Sequence, residues 1–168
     1  LNPNIDAKTL KKISTGKNED KFGITELSFL KILKTFKNSK YLNIKCLSVH
    51  IGSQITDYRP YTKMISVVDK IIKKSKYKFD FIDLGGGMGI KYDNKTKSLN
   101  YKKYNLIIKQ FLKKNNVKII FEPGRSIIAD TAVLLTKIIY IKKNKNKNFI
   151  ILDAGMNNLM RPALYGST

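Results

Sequence analysis

Residues 79–90, "FDFIDLGGGMGI", run from a short apolar segment straight into a loop that holds four glycines. "FDFIDL" (79–84) has the length and composition of a strand, and the glycines mark where it stops. The same arrangement recurs on both sides. "NIKCLSVH" (43–50) reads as a buried strand that runs into "HIGSQ" (50–54), and "VKIIF" (117–121), opened by the buried-looking run "VKII", reads as a strand that runs into "EPGRS" (122–126). Between these strands lie helical patterns. Segment 25–38 places Leu27, Leu30, Leu33 and Phe36 at helical spacing as one buried stripe. Segment 60–75, opened by Pro60, carries Met64, Ile65, Val68, Ile71 and Ile72, and segment 100–115 carries Tyr104, Ile107, Ile108 and Phe111. Strands alternating with helices of this length imply right-handed βαβ units and a parallel sheet. Past Arg125 the rhythm changes. "AVLLTKIIYIKKNKNKNFIILDAG" reads as two strands around a polar turn, so an antiparallel all-β region is expected from near Ala132.

In α/β proteins, ligands bind at the carboxyl ends of the strands. Six of the ten glycines (Gly52, Gly85, Gly86, Gly87, Gly89 and Gly124) lie in the three strand-end loops, which are therefore expected to converge on one site. The glycines at 85, 87 and 89 do not make a dinucleotide fingerprint, because their spacing is G-x-G-x-G and a polar stretch follows instead of a helix. Two readings of the loop stay open: a phosphate cradle built on close backbone approach, or a tight strand-to-loop turn.

Arginine is rare here. Of 33 basic residues only Arg59, Arg125 and Arg161 are arginine. Lysine can replace arginine on a solvated face but not where a planar fork grips a carboxylate or phosphate. Arg125, in "EPGR", and Arg161, in "MRPALY", therefore suggest anion sites, while Arg59 reads as a surface residue. Pro123 and Gly124 form a turn that presents Glu122 and Arg125 to one space, and His50, the only histidine, sits at a strand end beside Gly52 and Ser53.

The formal charge of +21 raises nucleic acid or an anionic membrane as a partner. The lysines, however, fall on every expected helix, interleaved with Asn and Ile, and no aromatic-interleaved basic patch, zinc-finger spacing or recognition helix accompanies them. No specific nucleic-acid partner and no metal is expected. No apolar run approaches the roughly 20 residues of a membrane span, and a single cysteine, Cys46, fits a reducing compartment, so a cytoplasmic location is expected. The 168 residues fall short of the roughly 250 of a complete α/β barrel, and both ends read as cuts through a longer chain.

The segments "NPNIDAKTLKKISTGKNEDKFGI", "HIGSQ", "FDFIDLGGGMGI", "FEPGRSIIADTAVLLTK" and "LDAGMNNLMRPALY" resemble the diaminopimelate decarboxylases, in order and at family spacing. These belong to the fold-type III pyridoxal-phosphate-dependent decarboxylases. "EPGR" and "GGG" are shared with the decarboxylases of ornithine and arginine, whereas "HIGSQ" followed by "DAGMNNLMRPALY" is narrower. The resemblance implies the C-terminal part of an (α/β)8 TIM-like barrel over 1–130, binding pyridoxal 5'-phosphate, running into the start of an all-β domain over 131–168.

It implies decarboxylation of meso-diaminopimelate to L-lysine, in a homodimer with shared active sites. His50 would stack on the cofactor ring. Ser53 and Gly85, Gly86 and Gly87 would hold the phosphate, with Pro123, Gly124 and the backbone near Arg125 assisting. Glu122 would pair with the pyridine nitrogen and keep it protonated. Arg125, Arg161 and Tyr165 would bind the substrate. The family's cofactor-anchoring lysine and its late Cys-Glu pair are expected outside this sequence, and "KISTG" (12–16) is expected to be a structural loop. Two other readings are a related decarboxylase of another basic amino acid or polyamine precursor, and a non-catalytic homologue.

Overall fold

The computed structural model describes residues 1–9, 14–92, 94 and 96–165. The chain divides into two compact units, Leu1–Ala129 and Asp130–Thr168. In the first, a parallel sheet in the order β1-β2-β3 is formed by β1 (Cys46–Ser48), β2 (Phe81–Asp83) and β3 (Lys118–Ile120). The register sets Leu47 beside Ile82 and Ile82 beside Ile119, and Ser48 beside Asp83. Helices α1 (Glu26–Phe36), α2 (Tyr58–Ser75) and α3 (Tyr101–Leu112) alternate with the strands, so the expected parallel βαβ architecture is borne out.

Each helix starts where a side chain can satisfy an otherwise unpaired amide. The Thr25 hydroxyl accepts from Ser28 N (3.2 Å), the Asp57 carboxylate from Arg59 N (2.9 Å), and the Asn100 side-chain oxygen from Lys103 N (3.0 Å). Helix α2 ends at Lys76, a left-handed residue whose amide donates to Ile72 O. Its stripe of Tyr61, Met64, Ile65, Val68 and Ile71 is buried, and it meets Leu47 and Ile82 of the sheet and Tyr104, Ile108 and Phe111 of α3 in one core. A fully buried side chain of this size contributes about 1.5–3 kcal/mol.

Four sequence readings are corrected. The α1 stripe is Phe29 and Leu33, while Leu27 is 80% exposed. Steps of three residues fall about 60° short of a full turn, so Leu27, Leu30, Leu33 and Phe36 sweep half the circumference instead of sharing a face. Helix α2 begins at Tyr58, ahead of Pro60, because Asp57 caps it. Strand β3 is partly exposed and not buried: Ile119 is half-buried, and Ile120 and, just past the strand, Phe121 are about two-fifths accessible. The antiparallel pair starts at Ile138, not near Ala132.

That pair lies in the second unit: β4 (Ile138–Lys143) and β5 (Asn148–Leu152), with a register irregularity between Ile138 and Tyr140. Every residue of both strands is exposed. Two short helices, α4 (Arg125–Ile128) in the first unit and α5 (Met160–Tyr165) in the second, went unread because four and six residues are too few to show a helical period. Among the described residues no helix is long and apolar enough to cross a membrane.

Candidate functional site

The carboxyl ends of the three parallel strands are tied together by backbone bonds. Val49 N donates to Asp83 O (2.9 Å), Leu84 N to Ile120 O (3.0 Å) and Glu122 N to Gly85 O (2.9 Å). Beyond them, Ile55 N donates to Gly87 O and Gly89 N to Ile55 O, both at 2.9 Å, and the Gln54 side chain brackets Ile90 with a bond to each of its backbone polar groups. The convergence expected from the glycine pattern is therefore a set of direct contacts between the "HIGSQ", "GGGMGI" and "EPGRS" loops.

The glycine loop is closed by its neighbours. A Cβ on Gly86 would lie 2.0 Å from Glu122 O, one on Gly87 2.0 Å from Gly52 O, and one on Gly85 2.5 Å from Val49 O and 2.7 Å from His50 Nδ1. Gly85 and Gly87 also have φ of +65° and +82°, which glycine adopts without penalty. Two of the amides are already donors: Gly85 N to Asp83 Oδ1 (2.8 Å) and Gly86 N to His50 Nδ1 (3.2 Å). Loop-to-loop packing thus accounts for much of the glycine requirement, and the tight-turn reading holds for the start of the loop. Gly124 is the opposite case, since nothing lies within 4 Å of where its Cβ would be.

The polar side chains divide in the same way. Tyr61, fully buried, donates its hydroxyl to Gly86 O (3.0 Å) and stacks at 4.5 Å on the Tyr104 ring. Burial drives the Tyr61 pKa up, with a smaller push from Tyr104, and burial alone raises that of Tyr104. His50 and Ser53 are half-buried. On the β3 side Glu122 and Pro123 are exposed, and the Arg125 guanidinium donates from Nη1 to the Tyr92 hydroxyl (2.8 Å). Burial raises the Cys46 pKa, a setting that suits a protonated thiol.

In the second unit Arg161 stands 5.6 Å from the centre of the Tyr165 ring, so these two predicted substrate residues are brought together. Of "KISTG", Lys12 and Ile13 lie outside the described residues. The rest is structural packing: the Thr15 hydroxyl donates to His50 O (3.0 Å), and a Cβ on Gly16 would collide with Ile5 O. Arg59 is a surface residue paired with Asp57. Sequence reasoning missed Asp83, Tyr61 and Tyr92. A signal for Asp83 was present, as the second carboxylate inside an apolar strand immediately before the glycines; Tyr61 and Tyr92 look in sequence like any helix or loop aromatic.

An exposed carboxylate at Glu122, an imidazole held edge-on by the glycine loop at His50, and unobstructed backbone at Gly124 suit an aromatic cofactor bearing a ring nitrogen and a phosphate. The carboxylate can hold a proton on the ring nitrogen, the imidazole can stack, and bare backbone can approach a phosphate. Residues 1–129 match the sequence model of the family described as pyridoxal-dependent decarboxylase, pyridoxal binding domain. The chain belongs to that family.

Among its relatives is the diaminopimelate decarboxylase of Zymomonas mobilis, 41% identical over 98% of this chain and 40% of the relative. The Helicobacter pylori (strain J99) enzyme of the same name is 42% identical over 98% of this chain and 41% of the relative. Among solved structures, diaminopimelate decarboxylase from Helicobacter pylori complexed with L-lysine superimposes with a TM-score of 0.92 at 41% identity, over 99% of this chain and 42% of that one. The M. jannaschii diaminopimelate decarboxylase in co-complex with L-lysine gives 0.84 at 34% identity, over 98% of this chain and 40% of that one. The chain thus spans about two-fifths of the length of these relatives. The expected pyridoxal cofactor and the barrel-type fold of fold-type III decarboxylases agree with these matches.

Proposed function

We propose that this chain is the cofactor-binding part of a diaminopimelate decarboxylase that converts meso-diaminopimelate to L-lysine and carbon dioxide. The observation that carries the reading is the interlocking of three strand-end loops around His50, Gly85–Gly87 and Glu122, in a chain of the pyridoxal-dependent decarboxylase family. Bound pyridoxal phosphate supplies a sink for the electron pair left when the carboxylate departs as carbon dioxide. His50 would stack on the cofactor ring, and Glu122 would hold the proton on its pyridine nitrogen. Because the Gly85 and Gly86 amides are committed, Ser53, the amides of Gly87 and Gly124, and backbone beside Pro123 and Arg125 would hold the phosphate, with Gly85 and Gly86 supplying close-packed loop.

Arg125, oriented by Tyr92, would contact a substrate carboxylate, and Arg161 and Tyr165, adjacent in the second unit, are substrate-binding residues by the family pattern. A second arginine suits a dicarboxylate, which favours diaminopimelate over ornithine or arginine. Residues 1–130 belong to the barrel and 131–168 to the start of a β domain. The lysine that anchors the cofactor, the Cys-Glu pair and the rest of both domains lie elsewhere in a longer enzyme, which works as a cytoplasmic homodimer with shared sites and has no specific nucleic-acid or membrane partner. A non-catalytic homologue is disfavoured because every position matched to the family's cofactor motifs is intact.

Borohydride reduction with pyridoxal phosphate, followed by peptide mapping, tests this reading. The full-length enzyme should release carbon dioxide from diaminopimelate and carry its label outside these 168 residues. A single stoichiometrically labelled lysine within them, or no release of carbon dioxide, would overturn it.

A further inference from the structure

Asp83 is the only charged residue buried among those described, at 7% exposure. Burying a carboxylate is costly unless hydrogen bonds replace its water. Both oxygens are occupied: Oδ1 accepts from Gly85 N (2.8 Å) and Oδ2 from the Ser48 hydroxyl (3.0 Å). Strand pairing does not need this arrangement, since Ser48 and Asp83 are already register partners in the β1–β2 ladder. What the carboxylate adds is the position of one amide, that of Gly85.

From there the geometry is tightly constrained. With Gly85 at φ +65°, the next amide, Gly86 N–H, meets His50 Nδ1 at 3.2 Å. A Cβ on Gly85 would lie 2.7 Å from the same nitrogen, so the loop backbone lies directly against that edge of the ring. The Thr15 hydroxyl secures the His50 carbonyl separately (3.0 Å), leaving the Gly86 amide to orient the ring itself. A ring nitrogen that accepts an N–H bond carries no proton, which puts the proton of the neutral imidazole on Nε2.

We propose that Asp83 is a positioning residue that, through Gly85 and Gly86, fixes His50 as the Nε2–H tautomer. The inference deepens the reading above, in which His50 stacks on the cofactor. A neutral ring can lie over a pyridine ring that Glu122 keeps protonated, where an imidazolium would be repelled by it. The tautomer itself belongs to the cofactor-free protein, so it stands or fails independently of that reading.

The test is ¹⁵N NMR of ring-labelled histidine in the cofactor-free full-length enzyme, with the resonances assigned through a His50→Gln variant. In the wild type, Nδ1 should resonate as an unprotonated nitrogen and Nε2 as a protonated one. Asp83→Ala should move both toward an average of tautomers and raise the Kd for pyridoxal phosphate about tenfold. Asp83→Asn, whose amide oxygen can still accept from Gly85, should restore the wild-type pattern, and Ser48→Ala should leave it unchanged. A proton on Nδ1 in the wild type would overturn the proposal, as would an Asp83→Ala variant with wild-type ring nitrogens. If Asp83→Ala does not fold, the wild-type and Asp83→Asn spectra decide. A wild-type tautomer as expected with no affinity for pyridoxal phosphate would instead count against the cofactor reading alone.

Discussion

The loop after β2 and the loop after β3 are neighbours in one sheet and opposites in construction. At Gly86 a Cβ would strike backbone at 2.0 Å, while at Gly124 it would meet nothing within 4 Å. The first loop spends its amides on Asp83 and His50, and its carbonyls accept from Tyr61, Ile55 and Glu122. The second leaves Glu122, Pro123 and Gly124 exposed, with one hydroxyl contact to the guanidinium of Arg125. A glycine cluster can therefore serve two purposes: at 85–87 it lets strand ends approach one another, and at 124 it leaves space for a ligand to approach. Rigidity is built into one loop so that the other can present its charges in fixed places.

The largest expected break in this contrast comes from paired alanine substitutions. Gly86→Ala should lower the unfolding free energy of the full-length enzyme by on the order of 4 kcal/mol, because the new Cβ meets backbone that cannot yield. Gly124→Ala should cost less than about 1 kcal/mol while weakening pyridoxal phosphate binding. Denaturant titration of both variants checks the first claim and cofactor titration the second. Equal stability losses would erase the distinction.

A smaller effect probes the open side. Arg125→Lys should cost roughly 1–3 kcal/mol of transition-state stabilisation, read from kcat/KM for diaminopimelate, with cofactor retained and stability unchanged. Steady-state kinetics identical to wild type would remove Arg125 from the substrate site.

On the closed side, Tyr61→Phe leaves Gly86 O without its buried donor and should cost about 1 kcal/mol in chemical denaturation. The smallest expected effect concerns how β3 is held at its start. Asp69 accepts from Lys73 and from Asn115, just before β3, and the Lys73 contact in particular holds its carboxyl below the usual carboxylate range. A lowered folded-state pKa gives stability that is present above the unfolded value, near 3.8, and is lost as pH falls through the folded value. Asp69→Asn should therefore cost less than about 1 kcal/mol at pH 7 and should flatten the acid limb of the stability profile below about pH 4.

Much of the fold and of the candidate site is legible in the sequence. The alternation of strands and helices, the three loops at strand ends, and the rarity of Arg125 in a lysine-rich chain all follow from local pattern. Other features depend on which neighbour packs where. Leu27 reads as core by spacing and is exposed, because a step of three drifts around the helix. The apolar residues of β4 and β5 read as two strands, yet every one is exposed in its own unit, and strand pattern alone does not reveal that exposure. Asp83 stands out in the sequence only as a carboxylate inside an apolar strand, and its role depends on the partners of its two oxygens. The closed state of the glycine loop, likewise, belongs to the backbone of three segments at once, and no single segment encodes it.

The most direct test of the open loop's part in cofactor chemistry is the ¹⁵N shift of pyridoxal phosphate labelled at its ring nitrogen and bound to the full-length enzyme. The nitrogen should be protonated in the wild type and should lose that proton in Glu122→Gln, with the cofactor still bound. An unprotonated nitrogen in the wild type, or the same shift in both proteins, would contradict the placement of Glu122 against the cofactor ring.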